Sequence, residues 1–353
     1  MLLIGELVVF RFLLLPSDIP RIEQNALNKV LRYLPNQEGV WRVRNHTQAP
    51  YQINNVGWNS EFDYKLERTS KDRIAIIGDS YIEALQVPFS ASAAELLAKQ
   101  TGIEVYRFGL SGAPLSQYLY ILQHEVLQYS PEVIVFNLVY NDFLESFEGS
   151  QSGTYTKSFA KWRLGSDGTV TEVPPAVYRN SLRSLIKRSA TFRYLVARMH
   201  VRPSTLWRRM LRVTEFGKEN TTLDPRYEGN IEIDQIDENK VRLSATTFID
   251  RLRQLLPHNI RVLILIDGKR DLSIQDCQGE SSKGQMEFVI EHLERETSVA
   301  NIEFRPLGQV FKSAWCLDKK DLSIPNDGHW SQYTHMLIAD QIGTYLSSVG
   351  LTR

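Results

Sequence analysis

Ile74-Ala75-Ile76-Ile77-Gly78-Asp79-Ser80-Tyr81 is the stretch on which the fold turns. An apolar, β-branched run suits a strand buried on both faces of a sheet, where such side chains pack against covering helices. Gly78 permits a tight turn where the run stops, which leaves Ser80 at the carboxyl end of the strand. In open α/β sheets that edge is where ligands bind. A serine hydroxyl is a poor nucleophile alone: it needs a base for its proton and donors for the oxyanion. The rest of the chain is therefore read for those partners.

Working outward, strand-like and helix-like stretches alternate. Ser90 to Gln100 has helix-forming composition with a serine start and Gly102 as its stop. Strands follow at Glu104 to Leu110 and Val133 to Leu138, with a helical pattern from Leu115 to Tyr129 between them. After an interruption the pattern resumes with helix Glu238 to Leu256, strand Arg261 to Asp267, helix Gly284 to Thr297 and strand Asn301 to Arg305. Ser331 caps a last helix, Gln332 to Ser347. Five strands in βα alternation predict a parallel sheet covered by helices on both faces.

The interruption, 149–235, contains a possible hairpin (Thr154 to Trp162 with Thr169 to Val173). A stretch from Arg179 to Arg212 follows whose charges are all basic, with Leu182, Leu185, Ile186, Phe192, Leu195, Val196 and Met199 at helical spacing. One or two amphipathic helices are expected there. The basic face is either solvated charge, a surface for anionic lipid, or a groove for an anionic polymer. Segment 17–71 is polar and punctuated by Asn and Pro, and reads as a leader of short helices and an extended piece packed on the outside.

The 353 residues carry 41 basic and 41 acidic side chains. No excess of positive charge points to nucleic acid. Residues 1–16 are almost wholly apolar, broken by Gly5, Glu6 and Arg11 and stopped by Pro16. This run is shorter than the roughly 20 residues of a membrane span. Three readings stay open: part of a membrane anchor, an interfacial helix, or a buried helix. Cys277 and Cys316 are two thiols, or a disulfide if the domain lies outside the cytoplasm.

Three positions answer the search around Ser80. His329 can take a proton near neutral pH, and Asp327 two residues earlier can accept its Nδ1–H. Asp327-Gly328 is also a strong turn signal in its own right. Gly112, at the end of the second sheet strand, can bring a backbone N–H close to an oxyanion. Asn141, at the end of the third, carries a side-chain amide donor, or serves as an Asx-turn residue. There is no Gly-x-Ser-x-Gly elbow, no phosphate-binding glycine loop and no metal-ligand spacing.

On these residues the chain resembles the SGNH (GDSL-type) hydrolases, in their membrane-anchored bacterial form. The four blocks are Gly78-Asp79-Ser80-Tyr81, Gly109-Leu110-Ser111-Gly112, Tyr140-Asn141-Asp142 and Asp327-Gly328-His329-Trp330. The likeness spans about residues 72–348, and Asn54 to Ser60 resembles the lead-in of the anchored members. It implies a flavodoxin-like three-layer α/β/α sandwich with a five-stranded parallel sheet and a mostly helical insertion. It also implies Ser80 as nucleophile, His329 as base, and an oxyanion hole from the Ser80 and Gly112 N–H groups and the Asn141 amide. In two places the chain departs from the pattern. Val139 stands where the family has Gly, and Asn326 stands at the usual place of the orienting Asp, which puts Asp327 one residue nearer the base.

The expectation is a serine esterase without metal or cofactor, removing acetyl groups from carbohydrate. It would be associated with a membrane surface and act outside the cytoplasm, in the periplasm. Alternatives on the same site are a polysaccharide O-acetyltransferase, a lipid esterase or thioesterase, and a catalytically silent polysaccharide- or membrane-binding module.

Overall fold

The computed structural model describes residues 5–45, 47–68, 72–150, 156–178, 186–201, 237–267, 270, 277, 287–300, 302–325 and 327–351. Gly5–Leu13 is helical, and no helix among the described residues is long and apolar enough to cross a membrane.

The leader departs from the short helices expected of it. It forms two antiparallel hairpins, Ile22–Gln24 (β1) with Leu31–Tyr33 (β2) and Gln37–Val43 (β3) with Thr47–Ile53 (β4). The reason is period-two burial: Thr47, Ala49, Tyr51 and Ile53 face inward while Gln48, Pro50 and Gln52 face solvent. Such alternation stabilises a half-covered strand and would scatter apolar groups around a helix.

The sheet begins with Arg73–Gly78 (β5), all six residues buried, followed directly by the short helix Ser80–Glu83 (α1). Next come Ala93–Thr101 (α2), Glu104–Gly109 (β6), Leu115–Ile121 (α3) with helical turns continuing to Tyr129, Val133–Leu138 (β7) and Tyr140–Glu145 (α4). Ser92 rather than Ser90 caps α2, accepting from the Glu95 N–H, and Gly102 closes it at φ +71°. The hairpin of the interruption is shorter than expected on its first arm, Lys161–Leu164 (β8) against Val170–Val173 (β9). Glu238–Leu255 (α5), Arg261–Ile266 (β10), Glu287–Ala300 (α6), Glu303–Pro306 (β11), Gly308–Asp318 (α7) and Gln332–Ser348 (α8) complete the chain. Helix α7 was not expected, although Leu307, Phe311, Ala314 and Trp315 recur at helical spacing.

All five sheet strands run parallel in the order β11-β10-β7-β5-β6. Counted along the chain this is 2-1-3-4-5, the flavodoxin-like doubly wound order. Alternate residues of β5 feed two cores. Ala75 and Ile77 pack with Leu115, Tyr118, Phe248 and Leu293, while Ile74 and Ile76 pack with Leu97, Phe311, Ile338 and Ile342. Burying one such aliphatic side chain contributes roughly 1.5–3 kcal/mol. A one-residue slip would reverse both faces, so the register is fixed. The three-layer α/β/α architecture follows.

Cys277 and Cys316 are joined in a disulfide, with Cα atoms 5.7 Å apart, tying the segment after β10 to α7. Two arginines of the basic stretch are partly buried and hold partners in the leader and the N-terminal segment. Arg193 pairs with Asp18 at 2.7 Å, and Arg198 donates to the carbonyls of Arg44 at 2.9 Å and Leu15 at 2.6 Å. Of the one or two amphipathic helices expected there, only residues 186–201 are described, and they include helical turns Ala190–Phe192 and Arg193–Arg198. Arg179, Arg183, Arg202, Arg208, Arg209 and Arg212 lie outside the described residues, as does Asn326.

Candidate active site

In the order 2-1-3-4-5 the connections from β5 and β7 leave toward opposite edges, which opens a crevice between the carboxyl ends of these two strands. Ser80 follows β5 and Asn141 follows β7, so the topology sets the nucleophile candidate and the amide donor on the two walls of that crevice.

Ser80 is the first residue of α1. Asp79 caps the helix, its Oδ1 accepting from the Tyr81 N–H at 3.0 Å, while the Ser80 hydroxyl lies 3.4 Å from Asp79 Oδ2. The turn is tight because two glycines allow it. A Cβ on Gly78 would sit 2.4 Å from Ile82 Cγ1, and one on Gly109 would sit 2.1 Å from the Glu83 backbone nitrogen. The second clash is with backbone, so α1 can lie on the end of β6 only over a glycine.

Gly112 follows β6 at φ +73°, with open space where a Cβ would be. Left-handed backbone, rather than close approach by a neighbour, is what calls for glycine there. Its position is set through Ser111, whose N–H and hydroxyl both donate to the buried Glu83 carboxylate, at 3.0 and 2.6 Å. Tyr33 of the leader donates to the same carboxylate at 2.5 Å, and Asn59 donates to the Glu83 carbonyl at 2.7 Å. Glu83 thus ties leader, α1 and glycine turn together. Sequence reasoning passed over it, although a carboxylate inside Tyr81-Ile82-Glu83-Ala84-Leu85 was a visible signal.

Asn141 lies in the first turn of α4, 8% exposed. Asp142 beside it fixes that turn: its Oδ2 accepts from the Val139 N–H at 2.9 Å and from the Tyr118 hydroxyl at 2.8 Å. Burial, reinforced by the charge of Asp79, raises the Asp142 pKa well above the carboxylate range against these two hydrogen bonds.

His329 and Asp327 lie in a small hairpin between α7 and α8, closed by Ile324 N–H to His329 O at 2.8 Å and Ser331 N–H to Leu322 O at 3.1 Å. Gly328 turns it at φ +82°. The Asp327-Gly328 pair is thus a turn as well as a site. His329 Nδ1 is paired with Asp327 Oδ1, so the carboxylate reaches the imidazole from its position one residue nearer. Burial works to raise the Asp327 pKa, but hydrogen bonds from the His329 side chain and backbone and the ring's charge outweigh it and hold the carboxyl below its usual range. An ionised Asp327 fixes the ring orientation and favours an imidazolium.

The two halves meet through Tyr81, next to Ser80. Its ring centroid lies 5.2 Å from that of His329 and 5.0 Å from that of Trp330, and its hydroxyl donates to the Gly328 carbonyl at 3.3 Å. His335, by contrast, is structural. It is fully buried, its Nδ1 accepts from the Ala93 N–H at 3.2 Å, and burial pushes its pKa down to about 3. Two clefts of about 400 and 270 Å³, the first lined by Phe147, Trp162 and Lys240 and the second by Tyr120, Lys161 and Leu255, include none of the site residues.

No family model and no curated protein matches the chain. Among solved structures it is similar to a carbohydrate esterase family 2 enzyme plus carbohydrate binding domain from Corynascus thermopiles (14% identity, TM-score 0.41, covering 83% of this chain and 70% of that one). It is also similar to an acetyl xylan esterase of the rumen bacterium Butyrivibrio proteoclasticus (13%, TM-score 0.38, covering 81% and 66%). A third similar structure is a member of the lipolytic protein G-D-S-L family from Veillonella parvula (12%, TM-score 0.41, covering 78% and 98%).

Proposed function

We propose that the chain is a serine esterase that works by acyl transfer. His329 takes the Ser80 proton as the hydroxyl attacks an ester carbonyl, and the tetrahedral oxyanion is held by the Ser80 and Gly112 N–H groups and the Asn141 amide. Collapse expels the alcohol, which receives the proton from His329, and leaves an acyl-Ser80. Water, deprotonated by the same imidazole, then releases the acid. The observation that carries this reading is the Asp327–His329 pair packed through Tyr81 against the helix that begins at Ser80. Acetyl esters on carbohydrate are the proposed substrate class, on the strength of the resemblance to the membrane-anchored bacterial members, whose lead-in Asn54 to Ser60 resembles, and of the position of Asp327, which is similar to that in some polysaccharide-modifying members of the family.

The test is hydrolysis of nitrophenyl esters of rising acyl length, with Ser80→Ala as control. Activity greatest on acetate and reduced at least about a thousandfold in the variant is the expected result. A long-chain optimum would overturn the acetyl reading, and equal activity in the variant would overturn the nucleophile.

We also propose that the N-terminal helical segment touches a lipid surface. Leu7, Val8, Phe12 and Leu13 are exposed close together on this segment, with the exposed Arg11 among them, and exposed apolar side chains so grouped mark an interaction site. Lys187 and Arg188 directly precede Ser189, whose turn is stitched to Glu6 through Ala190 N–H at 2.5 Å and Thr191 N–H at 3.0 Å. Basic charge beside apolar side chains suits anionic headgroups. Co-sedimentation with anionic vesicles should be lost when Phe12 and Leu13 are both replaced by Asp; unchanged binding would overturn the proposal.

A further inference from the structure

Arg270 is a buried cation outside the four motif blocks, with a side chain 9% exposed. Every edge of its guanidinium is engaged. Nη1 donates to Asp267 Oδ2 at 2.5 Å, Nε to Ser323 Oγ at 2.8 Å, and Nη2 to both the Gly328 carbonyl at 2.5 Å and the Tyr81 hydroxyl at 2.9 Å. The guanidinium carbon also lies 5.1 Å from the centre of the Tyr81 ring.

These partners are not scattered. Asp267 is fixed to the sheet edge, its N–H donating to the Leu138 carbonyl at 2.9 Å, and its Oδ1 accepts from Trp330 Nε1 at 3.2 Å. Ser323 and Trp330 are the paired residues that close the base hairpin. Gly328 lies between Asp327 and His329, and its carbonyl has both lone pairs used, by Arg270 and by Tyr81. A chain of contacts therefore runs from the end of β10 through Asp267 and Arg270 to the peptide that separates the orienting carboxylate from the base, and on to the residue after Ser80.

We infer that Arg270 is a positioning residue: its guanidinium clamps the Gly328 carbonyl and so sets the Asp327–His329 pair against the helix that carries Ser80. The planar fork suits this task, because one rigid group meets four acceptors in different directions. A lysine keeps the charge but can satisfy neither the geometry nor the number. The kinetic consequence rests on the acyl-transfer reading of Ser80; the geometric one does not.

The experiment compares the whole protein with Arg270→Lys, which keeps the charge, and Tyr81→Phe, which removes one hydroxyl and keeps the ring. Two properties are read: kcat and KM for nitrophenyl acetate, and the downfield proton NMR signal of the His329 Nδ1–H held by Asp327. For Arg270→Lys the expected result is a fall in kcat of about tenfold to a hundredfold, as for a reacting group displaced by about an ångström, with KM within about twofold. The Nδ1–H signal broadens or shifts. Tyr81→Phe shows the same pattern, weaker. If wild-type protein hydrolyses no ester, the proposed function falls, and the Nδ1–H signal still decides the clamp. If Arg270→Lys fails to fold, Tyr81→Phe decides alone. Unchanged kcat and an unchanged Nδ1–H signal in the folded variants overturn the inference.

Discussion

Ser80 stands at the end of a strand with six buried residues, on a helix seated against β6 so closely that Gly109 has no room for a Cβ. Asn141 stands likewise just past β7. His329 is carried differently: it sits in a hairpin outside the sheet, joined to it by side chains, above all Arg270, Asp267 and Trp330. One wall of the site is thus placed first by the ends of buried sheet strands, the other first by side-chain contacts in which a buried polar network around Arg270 is prominent. Hydrophobic placement tolerates volume-conserving exchange. A buried polar network does not, since each lost partner leaves a desolvated group unpaired. The two walls should therefore fail in different ways.

The sharpest way to break the comparison is Asp327→Asn. The amide keeps the shape of the side chain and removes the charge that, in the proposed mechanism, orients and stabilises the imidazolium, so the proposed esterase activity should fall by about a hundredfold to ten-thousandfold. The fall should come in kcat. Retained activity would mean that the hairpin works as a Ser80–His329 dyad and that the polar wall matters less than its contacts imply.

A smaller effect sharpens the other wall. The fold raises the pKa of Asp142, chiefly by burial. The folded chain therefore keeps a proton that the unfolded chain loses above about pH 3.9, and stability from this group is full below that pH and declines as pH rises toward the folded value. Asp142→Asn keeps acceptors for Val139 and Tyr118 and removes the titration. Its denaturant midpoint should vary less between acid and mildly alkaline pH than that of the wild type, and should match or exceed it at the alkaline end. A variant whose midpoint falls as pH rises as steeply as the wild type's would contradict the raised carboxyl pKa.

What was legible in the sequence follows the same division. The five strands were readable because β-branched runs such as Val133 to Leu138 end in short turns, and the motif residues fall at strand ends where period and punctuation are clear. The leader was misread because its strands are short and polar: the burial alternation of Thr47–Ile53 involves Thr, Ala, Tyr and Ile rather than an obvious apolar comb. Helix α7 hid behind Pro306 and Gly308, which read as loop. Arg270 left no signal, since it sits in the polar stretch Gly268-Lys269-Arg270-Asp271 and takes its meaning only from Gly328 and Tyr81, which are distant in the chain. Periodicity reports what faces a core, and says nothing of which side chain a charged group will meet.

The most direct test of the central claim is covalent. A fluorophosphonate, which traps a serine activated by a base and an oxyanion hole, should label the wild-type protein at a single site. Peptide mapping by mass spectrometry should place the adduct on Ser80, and His329→Ala should abolish it. No labelling, or labelling that persists without His329 or maps to another residue, would contradict the account.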